Sequence, residues 1–500
     1  SSNRESVRRE QKQSGKGNKM KNTPQKIWKY VAYLSVIFVV SFLMTVFSVA
    51  CLAKDYLIFS YYEIYLPMTL MVFCIMATLY YYIVKFDKGS EEYVSVLKRC
   101  LICYSTIFIA VIVSAVLYSF FTPHSIVISS VTMMVTMLLN KKLGIYSTFV
   151  TMGIMLAIFV TCSYVLDIDH FNLDIIGGLL NSMIMSMLMV FFVGREYTRL
   201  RLTWGTILLG LVTTPLAGLY SIFGHGVSAV TVGNAIFGRL VGSMLSVAIF
   251  IVFLPLYEGI FAVWTNFKLA EVCSPSQPLL KELREKAPGT YNHSVSVANL
   301  VESCADAIEI NPYMARACAF FHDVGKMKHP EYFTENQKDG KNPHDDLIPE
   351  VSVNMITNHV KDGVAILKEN HMPDTIIKAA FEHHGDATVP YFYMKAQSIT
   401  EEQLSNYPYR YNARKPTTKY SALVMICDMC EAILRAKPTD DYEQMRSVVD
   451  NVINSKLKEG QFDDCTLTVR DFAIIRDTIC DVIPSTLHKR IDYDKAKERR

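Results

Sequence analysis

Residues 240–264 read LVGSMLSVAIFIVFLPLYEGIFAVW, and residues 265–300 continue TNFKLAEVCSPSQPLLKELREKAPGTYNHSVSVANL. The first stretch holds one charged side chain, Glu258; the second holds seven, among them Lys281, Glu282, Arg284, Glu285 and Lys286. An apolar run of about 20 residues is long enough to cross the hydrocarbon of a bilayer. Charge mixed with apolar positions at helical spacing instead marks a helix half in water. The contrast extends to both sides of the junction. Of 50 basic and 47 acidic residues, only 22 lie between Ile27 and Thr265. A single water-soluble fold is excluded, and so is disorder along the whole chain. The net charge of +3 is small for this length and gives no footprint for nucleic acid, so no nucleic acid polymer is expected as partner.

Working back from the junction, eight segments are candidate spans: Tyr30–Ala53, Ile64–Val84, Leu101–Phe121, Ser125–Leu139, Tyr146–Leu166, Ile175–Val193, Thr203–Phe223 and Leu240–Trp264. The fourth is short and reads as a re-entrant or shielded helix. The eighth follows an apolar stretch from Val227, which leaves its start open. Nine Lys or Arg crowd the segment up to Lys29, and four more lie between Lys85 and Arg99. Lys141, Lys142, Arg195, Arg199 and Arg201 continue the series in alternate loops, while the intervening loops hold little positive charge. Positive charge stays in the cytoplasm, so both chain ends are expected there, with an even number of spans. Transport pathways carry paired ionisable groups near the bilayer centre. Here Arg239 and Glu258 are read near the ends of the last span. An anchor or sensor module is expected rather than a transporter, bounded by a basic segment 1–29 and occupying 30–265.

From Asn266 onward, amphipathic helices are expected near Leu279–Lys286, Thr290–Ile310, Tyr313–Val324, Val351–Glu369, Pro373–His384, Lys419–Ala436, Tyr442–Glu459 and Val469–His488. Pro312 opens the third and Gly325 stops it. A polar loop fills Lys326–Pro349, a longer excursion of mixed structure fills Gly385–Thr418, and a charged tail runs over Asp492–Arg500. The fold class is therefore all-α: a polytopic membrane bundle followed by an all-helical water-soluble domain over 266–500. The twelve cysteines form no disulfide framework and suit a reducing compartment. Cys427 and Cys430 have redox spacing, but they lie in a helical pattern with no βαβ unit around it.

Eight of the twelve histidines fall between His293 and His384. His329, His344 and His371 read as ordinary surface or core residues. The ordered set His293, His322, Asp323, His359, His383, His384 and Asp428 reads as one cluster in a bundle core. Neutral imidazole and carboxylate oxygen suit zinc, manganese or ferrous iron, and a shared carboxylate such as Asp323 is a natural bridge between two ions.

The run His322-Asp323-Val324-Gly325-Lys326 resembles the signature of the HD phosphohydrolases. Ala287–Ser294, Pro330–Gln337, Asn342–Asp345, His383-His384-Gly385, Met425–Asp428 and, in the membrane half, Leu254–Glu258 are similar to the bacterial transmembrane-HD family, whose best-known members are membrane-bound phosphodiesterases for cyclic di-AMP. The resemblance runs from about Ile64 to His488. It implies a cytosolic HD domain at the bacterial plasma membrane that hydrolyses cyclic di-AMP to linear pApA. It also implies two divalent ions, manganese or iron, one held by His293, His322, Asp323 and Asp428 and the other by Asp323, His359, His383 and His384. Every ligand position of the family pattern holds a competent residue. Two such ions bridge a water and lower its pKa, so that hydroxide attacks phosphorus in line. Asp323 and Lys326 are the expected catalytic residues. Lys326, Asn336, Gln337 and His344 are candidate substrate contacts, with a helix-capping or loop-building role as the competing reading. The bilayer, cyclic di-AMP and a homodimer are the partners compatible with the resemblance.

Two departures qualify it. Family members carry a large extracytoplasmic domain after their first span, where this chain has only about ten residues, Lys54–Glu63. Enzymes that cleave cyclic di-GMP carry Gly-Tyr-Pro soon after the paired histidines, where this chain reads Gly385-Asp386-Ala387-Thr388-Val389-Pro390. Cyclic di-GMP hydrolysis and a catalytically silent nucleotide receptor remain the alternatives.

Overall fold

Long apolar runs with their backbone polar groups satisfied internally become helices in a bilayer. The computed structural model describes residues 28, 30–52, 62–87, 95–165, 173–193, 199–337, 342–401, 403–439 and 441–486. The basic N-terminal segment, most of the loop between the first two spans and the charged tail lie outside the described residues. The chain divides into two compact units, Ser1–Thr265 and Asn266–Arg500. Among the described residues, regular structure is helical, with one isolated antiparallel bridge between Thr388 and Arg410.

The first unit contains α1 (Tyr30–Leu52), α2 (Tyr62–Lys85), α3 (Val96–Phe120), α4 (Ile128–Leu138), α5 (Lys141–Val165), α6 (Leu173–Val193), α7 (Arg199–His225) and α8 (Ala229–Ile260). All except α4 are long and apolar enough to span, so the chain is a multi-pass membrane protein. The expected fourth span is not one of them. At 1.5 Å per residue, the 11 residues of α4 reach only about 16 Å. Every α4 residue but Met137 is buried, so it is the shielded helix that its length suggests. A 3-10 turn, Pro123–Ser125, precedes it. Small polar residues bind this interior together: Ser129 to Ser246 at 2.9 Å and Thr132 to Thr148 at 2.6 Å. Asp87 joins three segments by accepting from Arg99 at 3.2 Å and from Asn140 at 3.1 Å.

One reading of this unit is corrected. Because α8 begins at Ala229, well before Leu240, Arg239 lies inside the helix and is fully buried, rather than near its end.

The second unit comprises α9 (Asn266–Val272), α10 (Pro278–Lys286), α11 (Pro288–Ala307), α12 (Pro312–Phe321), α13 (Pro349–Glu369), α14 (Asp374–Glu382), α15 (Pro390–Gln397), α16 (Lys419–Ala436), α17 (Tyr442–Lys458) and α18 (Val469–Thr486). Its core gathers Val297, Leu300, Val301, Phe321, Ile376, Leu423, Ile426, Ile475 and Ile479, all essentially inaccessible. Burying each such side chain contributes about 1.5–3 kcal/mol. The expected helix Tyr313–Val324 ends at Phe321, and a short 3-10 helix, Val324–Lys328, replaces its last turn. The excursion 385–418 contains α15, which the sequence pattern does not announce. There Val389 N–H donates to Tyr409 O at 2.7 Å, and Tyr411 N–H to Ala387 O at 2.9 Å. Cys427 and Cys430 are free, buried thiols inside α16, and burial pushes both above the usual thiol range.

Gly325 explains how the 3-10 helix reaches the core. A Cβ on it would overlap the carbonyl oxygen of His359, and would lie 2.5 Å from the amide nitrogen of Gly363. Both obstacles are backbone of α13, so no side-chain rotation relieves them. Gly325→Ala is expected to destabilise the second unit by about 2 kcal/mol, seen as a lower thermal midpoint of the full chain in detergent. An unchanged midpoint would show that α13 can move away freely.

Candidate metal centre

Each histidine of the predicted set is placed by a helix or its end. His293 lies in the second turn of α11, and His359 in the middle of α13. His322 and Asp323 follow the last residue of α12, while His383 and His384 follow the last residue of α14. Asp428 lies in the middle of α16. Three of the five histidines thus lie at helix ends rather than in helix interiors. There the chain turns away and lets adjacent side chains point into one space.

The imidazoles are oriented by their own backbone. His322 Nδ1 lies 2.6 Å from Ala319 O, His359 Nδ1 2.6 Å from Ile356 O, and His383 Nδ1 3.0 Å from Ala380 O. A carbonyl only accepts, so each Nδ1 carries a proton, and Nε2 is the atom left as a lone-pair donor once the ring is neutral. His293 is held differently: Nδ1 lies 2.7 Å from Glu431 Oε2, and Nε2 lies 2.9 Å from Asp428 Oδ1.

The Nε2 atoms surround Asp323, which is 1% exposed. Its Oδ2 lies 3.3 Å from His322 Nε2 and 4.0 Å from His293 Nε2. Its Oδ1 lies 3.3 Å from His359 Nε2 and 3.5 Å from His383 Nε2. One atom each from Asp323, His359, His383 and His384 lies within 4.8 Å of the others, as does one each from His293, His322 and Asp323, and one each from His322, His383 and Asp428. The seven residues singled out in the sequence are all brought together.

Electrostatics divides the cluster. Against burial, hydrogen bonds to Asp428 and Glu431 raise His293 to about 10, and Asp323 raises His322 above the ordinary imidazole range, so these two rings give up a proton when a metal binds. Burial drives His359 down to about 3, helped by His383 and Lys326 against Asp323. Burial, with His383 and His359, likewise holds His384 far below the ordinary imidazole range. Both rings are therefore neutral at neutral pH, as metal ligands must be. Asp323 is held well below the carboxylate range although burial opposes it, because His322 and Lys326 stand beside it. His322 Nε2 and Asp323 Oδ1 are buried with no hydrogen-bond partner, and His359 Nε2 faces His383 Nε2 at 3.4 Å. Buried polar atoms without partners are costly, and a divalent cation would satisfy these in one step. The donor set of imidazole and carboxylate fits a transition-metal ion.

Lys326 is not a solvated helix cap. Its ammonium lies 2.7 Å from Asp323 Oδ2 and 3.0 Å from Glu335 Oε1, and 4.9 Å from the centroid of the Phe333 ring. Burial alone would weaken its charge, but the two carboxylates outweigh it and raise its pKa. The other loop candidates make structural bonds. Asn336 Oδ1 accepts from the amides of Gly289 and Thr290 at the start of α11. Gln337 donates to Glu331 O at 3.1 Å. His344 is buried, with Nε2 3.0 Å from Tyr332 O and its ring against Tyr332 and Phe392. His329 is exposed and His371 lies on the surface, as the sequence reading expects.

Three residues of the site escape the sequence reading. Glu431 orients His293, and its place three residues after Asp428 on one helix face was an available signal. Tyr411 stacks on His384 with centroids 4.3 Å apart and planes at 28°. It sits 27 residues away in an irregular segment, so no spacing points to it. Glu382 is buried beside the histidine pair and accepts from Thr417 N–H at 2.9 Å, Thr417 Oγ1 at 2.8 Å and Ser421 Oγ at 2.8 Å. It thereby ties the end of α14 to the start of α16.

Comparison with known proteins follows these two units. Residues 290–433 match the family described as HD domain, and residues 62–265 match the 7TM receptor with intracellular HD hydrolase. The second match contains α2 to α8, so the short α4 falls within its seven-helix segment. The chain is 42% identical over 266 residues to the cyclic-di-AMP phosphodiesterase PgpH of Listeria monocytogenes serotype 1/2a (strain 10403S), covering 53% of this chain and 36% of that protein. It is 33% identical over 315 residues to PgpH of Bacillus subtilis (strain 168), covering 62% of this chain and 44% of that protein. The chain thus spans less than half the length of these relatives. A crystal structure of the L. monocytogenes PgpH HD domain in complex with cyclic-di-AMP is similar to 43% of this chain over all of its own length, at 44% identity and a TM-score of 0.41.

Replacing Glu431 by Gln removes the charge that orients His293 without changing the size of the side chain. Metal affinity is expected to fall about 10–100-fold, measured by calorimetric titration of manganese into metal-stripped protein, with unaltered circular dichroism. Unchanged affinity would show that His293 needs no orienting carboxylate.

Proposed function

We propose that this chain, which carries the membrane and HD modules of the transmembrane-HD family, is a membrane-bound metal-dependent phosphodiesterase that hydrolyses cyclic di-AMP to linear pApA. The observation that carries this reading is the orientation of Asp323: one carboxylate oxygen faces His322 and His293, and the other faces His359 and His383. A carboxylate shared in this way suits two ions. His293, His322, Asp323 and Asp428 would hold one, and Asp323, His359, His383 and His384 the other, with manganese or iron favoured by the imidazole-rich donor set. When bound, the ions would supply Lewis acidity, acidifying the attacking water and neutralising charge on the phosphoryl oxygens.

The protein's own groups have separate tasks. The backbone carbonyls of Ala319, Ile356 and Ala380 keep three imidazoles in one tautomer and aimed inward. Glu431 does the same for His293. Lys326 places a permanent positive charge beside Asp323, where it can meet a phosphodiester oxygen. Asn336, Gln337 and His344 act indirectly, by building the loop that carries Glu335 and Phe333 towards Lys326. Residues 1–29 and the HD domain 266–500 lie in the cytoplasm in this reading, with 30–265 in the plasma membrane; beside the seven long helices, this needs the shorter apolar segment Pro123–Leu138 as an eighth crossing. The likeness to the PgpH phosphodiesterases supports cyclic di-AMP over cyclic di-GMP, as does the sequence Gly385–Pro390, which departs from Gly-Tyr-Pro.

The test is hydrolysis of both cyclic dinucleotides by the full chain in detergent. Chelator treatment is expected to abolish turnover, and added manganese or ferrous iron to restore it, with pApA as product. Asp323→Ala is expected to lower turnover at least about a hundredfold while the chain stays folded. Binding without turnover under every metal would favour a silent receptor, and faster cleavage of cyclic di-GMP would overturn the adenine assignment.

A further inference from the structure

The phosphodiesterase reading leaves Arg239 unexplained. Ten residues of α8 precede it and 21 follow it, so about 15 Å and about 32 Å of helix lie on its two sides. It is 0% exposed. Its Nη1 donates to Ser182 Oγ at 2.9 Å, its Nη2 touches Met185 Sδ, and its Nε is buried without a hydrogen-bond partner. The acidic side chains described in this unit are engaged or distant. Glu63 is exposed in the first turn of α2, Asp87 serves Arg99 and Asn140, and Glu258 lies near the opposite end of α8 with Thr265. Among the described residues no carboxylate pairs with Arg239. A guanidinium does not lose its proton under ordinary conditions, and an ionisable residue inside a membrane bundle marks a functional site by default.

A second positive feature meets it. The chain breaks between α3 and α4, and the start of α4 has no side-chain cap. The positive end of that helix is directed into the protein interior. Ser182 connects the two features, accepting from Arg239 and donating to Ile126 O at 3.3 Å, just before α4. The broken backbone lies directly on α8. A Cβ on Gly242 would sit 2.8 Å from the carbonyl of Ser125, and a Cβ on Gly238, next to Arg239, would overlap Thr122 Oγ1. Interrupted helices in membranes use their N-termini in this way towards anionic groups.

We infer that the membrane unit binds an oxyanion, a carboxylate or phosphodiester group, between Arg239 and the start of α4. The guanidinium supplies charge and a planar fork, α4 supplies the first-turn amides of Ile128 and Ser129 (that of Ser130 already donates to Val127 O at 3.0 Å), and the anion supplies the missing negative charge. A lipid headgroup and a small soluble anion share this chemistry.

The full chain in neutral maltoside micelles, which carry neither phosphodiester nor carboxylate, distinguishes them. Thermal unfolding is followed in one arm with acetate or inorganic phosphate titrated against chloride at constant ionic strength. In the other arm phosphatidylglycerol is added to the micelles and no soluble anion is present. A saturable rise in midpoint is expected in at least one arm, the first assigning a soluble ligand and the second a lipid. Arg239→Gln is expected to weaken the response at least about tenfold. Ser182→Asp builds in a carboxylate, and should raise the midpoint in neutral micelles and abolish the response; it decides the matter if Arg239→Gln does not fold. No response from the natural chain in either arm, or a full response in Arg239→Gln or Ser182→Asp, overturns the inference.

Discussion

Asp323 is a buried carboxylate encircled by imidazole nitrogens, and the geometry of the second unit depends on keeping it so. Four Nε2 atoms approach its two oxygens within 3.3–4.0 Å, and Lys326 approaches one of them at 2.7 Å. Such a cluster cannot persist in an apolar core unless opposite charge and directed hydrogen bonds offset the loss of water. The neighbouring elements provide this. Helix ends bring paired side chains inward at 322–323 and 383–384, Gly325 lets the 3-10 helix lie against α13, and Glu382 fastens α14 to α16.

Backbone carbonyls perform a chemical task here as well as a structural one. A histidine that donates Nδ1–H to the carbonyl three residues earlier has its tautomer fixed by the helix that carries it. The neutral ring then presents its Nε2 lone pair to the site. Three of the five imidazoles are set in this way, and the fourth, His293, uses a carboxylate from another helix. The cluster is therefore prepared largely by local structure, while His293 and His384 meet partners distant in sequence, Glu431 and Tyr411.

The membrane unit shows the opposite economy. Its long helices are defined by apolar length alone, yet its centre is polar: serines and threonines pair across α4, α5 and α8, and a fully buried arginine sits beside a broken helix. Non-helical backbone at that depth is tolerated because protein buries it from His124 to Val127. Gly238 and Gly242 provide that cover by removing the side chains that would hold α8 away.

Much of this was legible along the chain. Apolar length and charge distribution separate a membrane bundle from an all-helical soluble half. The order of His293, His322, Asp323, His359, His383, His384 and Asp428 marks a metal-type cluster, because those residue types have few other reasons to recur in a helical domain. What the chain order cannot express is distance in space. Glu431 meets His293 across 138 residues, Tyr411 covers His384 from an irregular loop, and Lys326 turns towards Asp323 rather than to water. Arg239 reads in the sequence as near a helix end, and the start of α8 at Ala229 sets it deep inside. Periodicity and composition report which side chains must leave water, since that depends on each residue and its near neighbours. Which buried groups then face one another depends on how helices cross and where they stop, and the packing of the whole unit decides that.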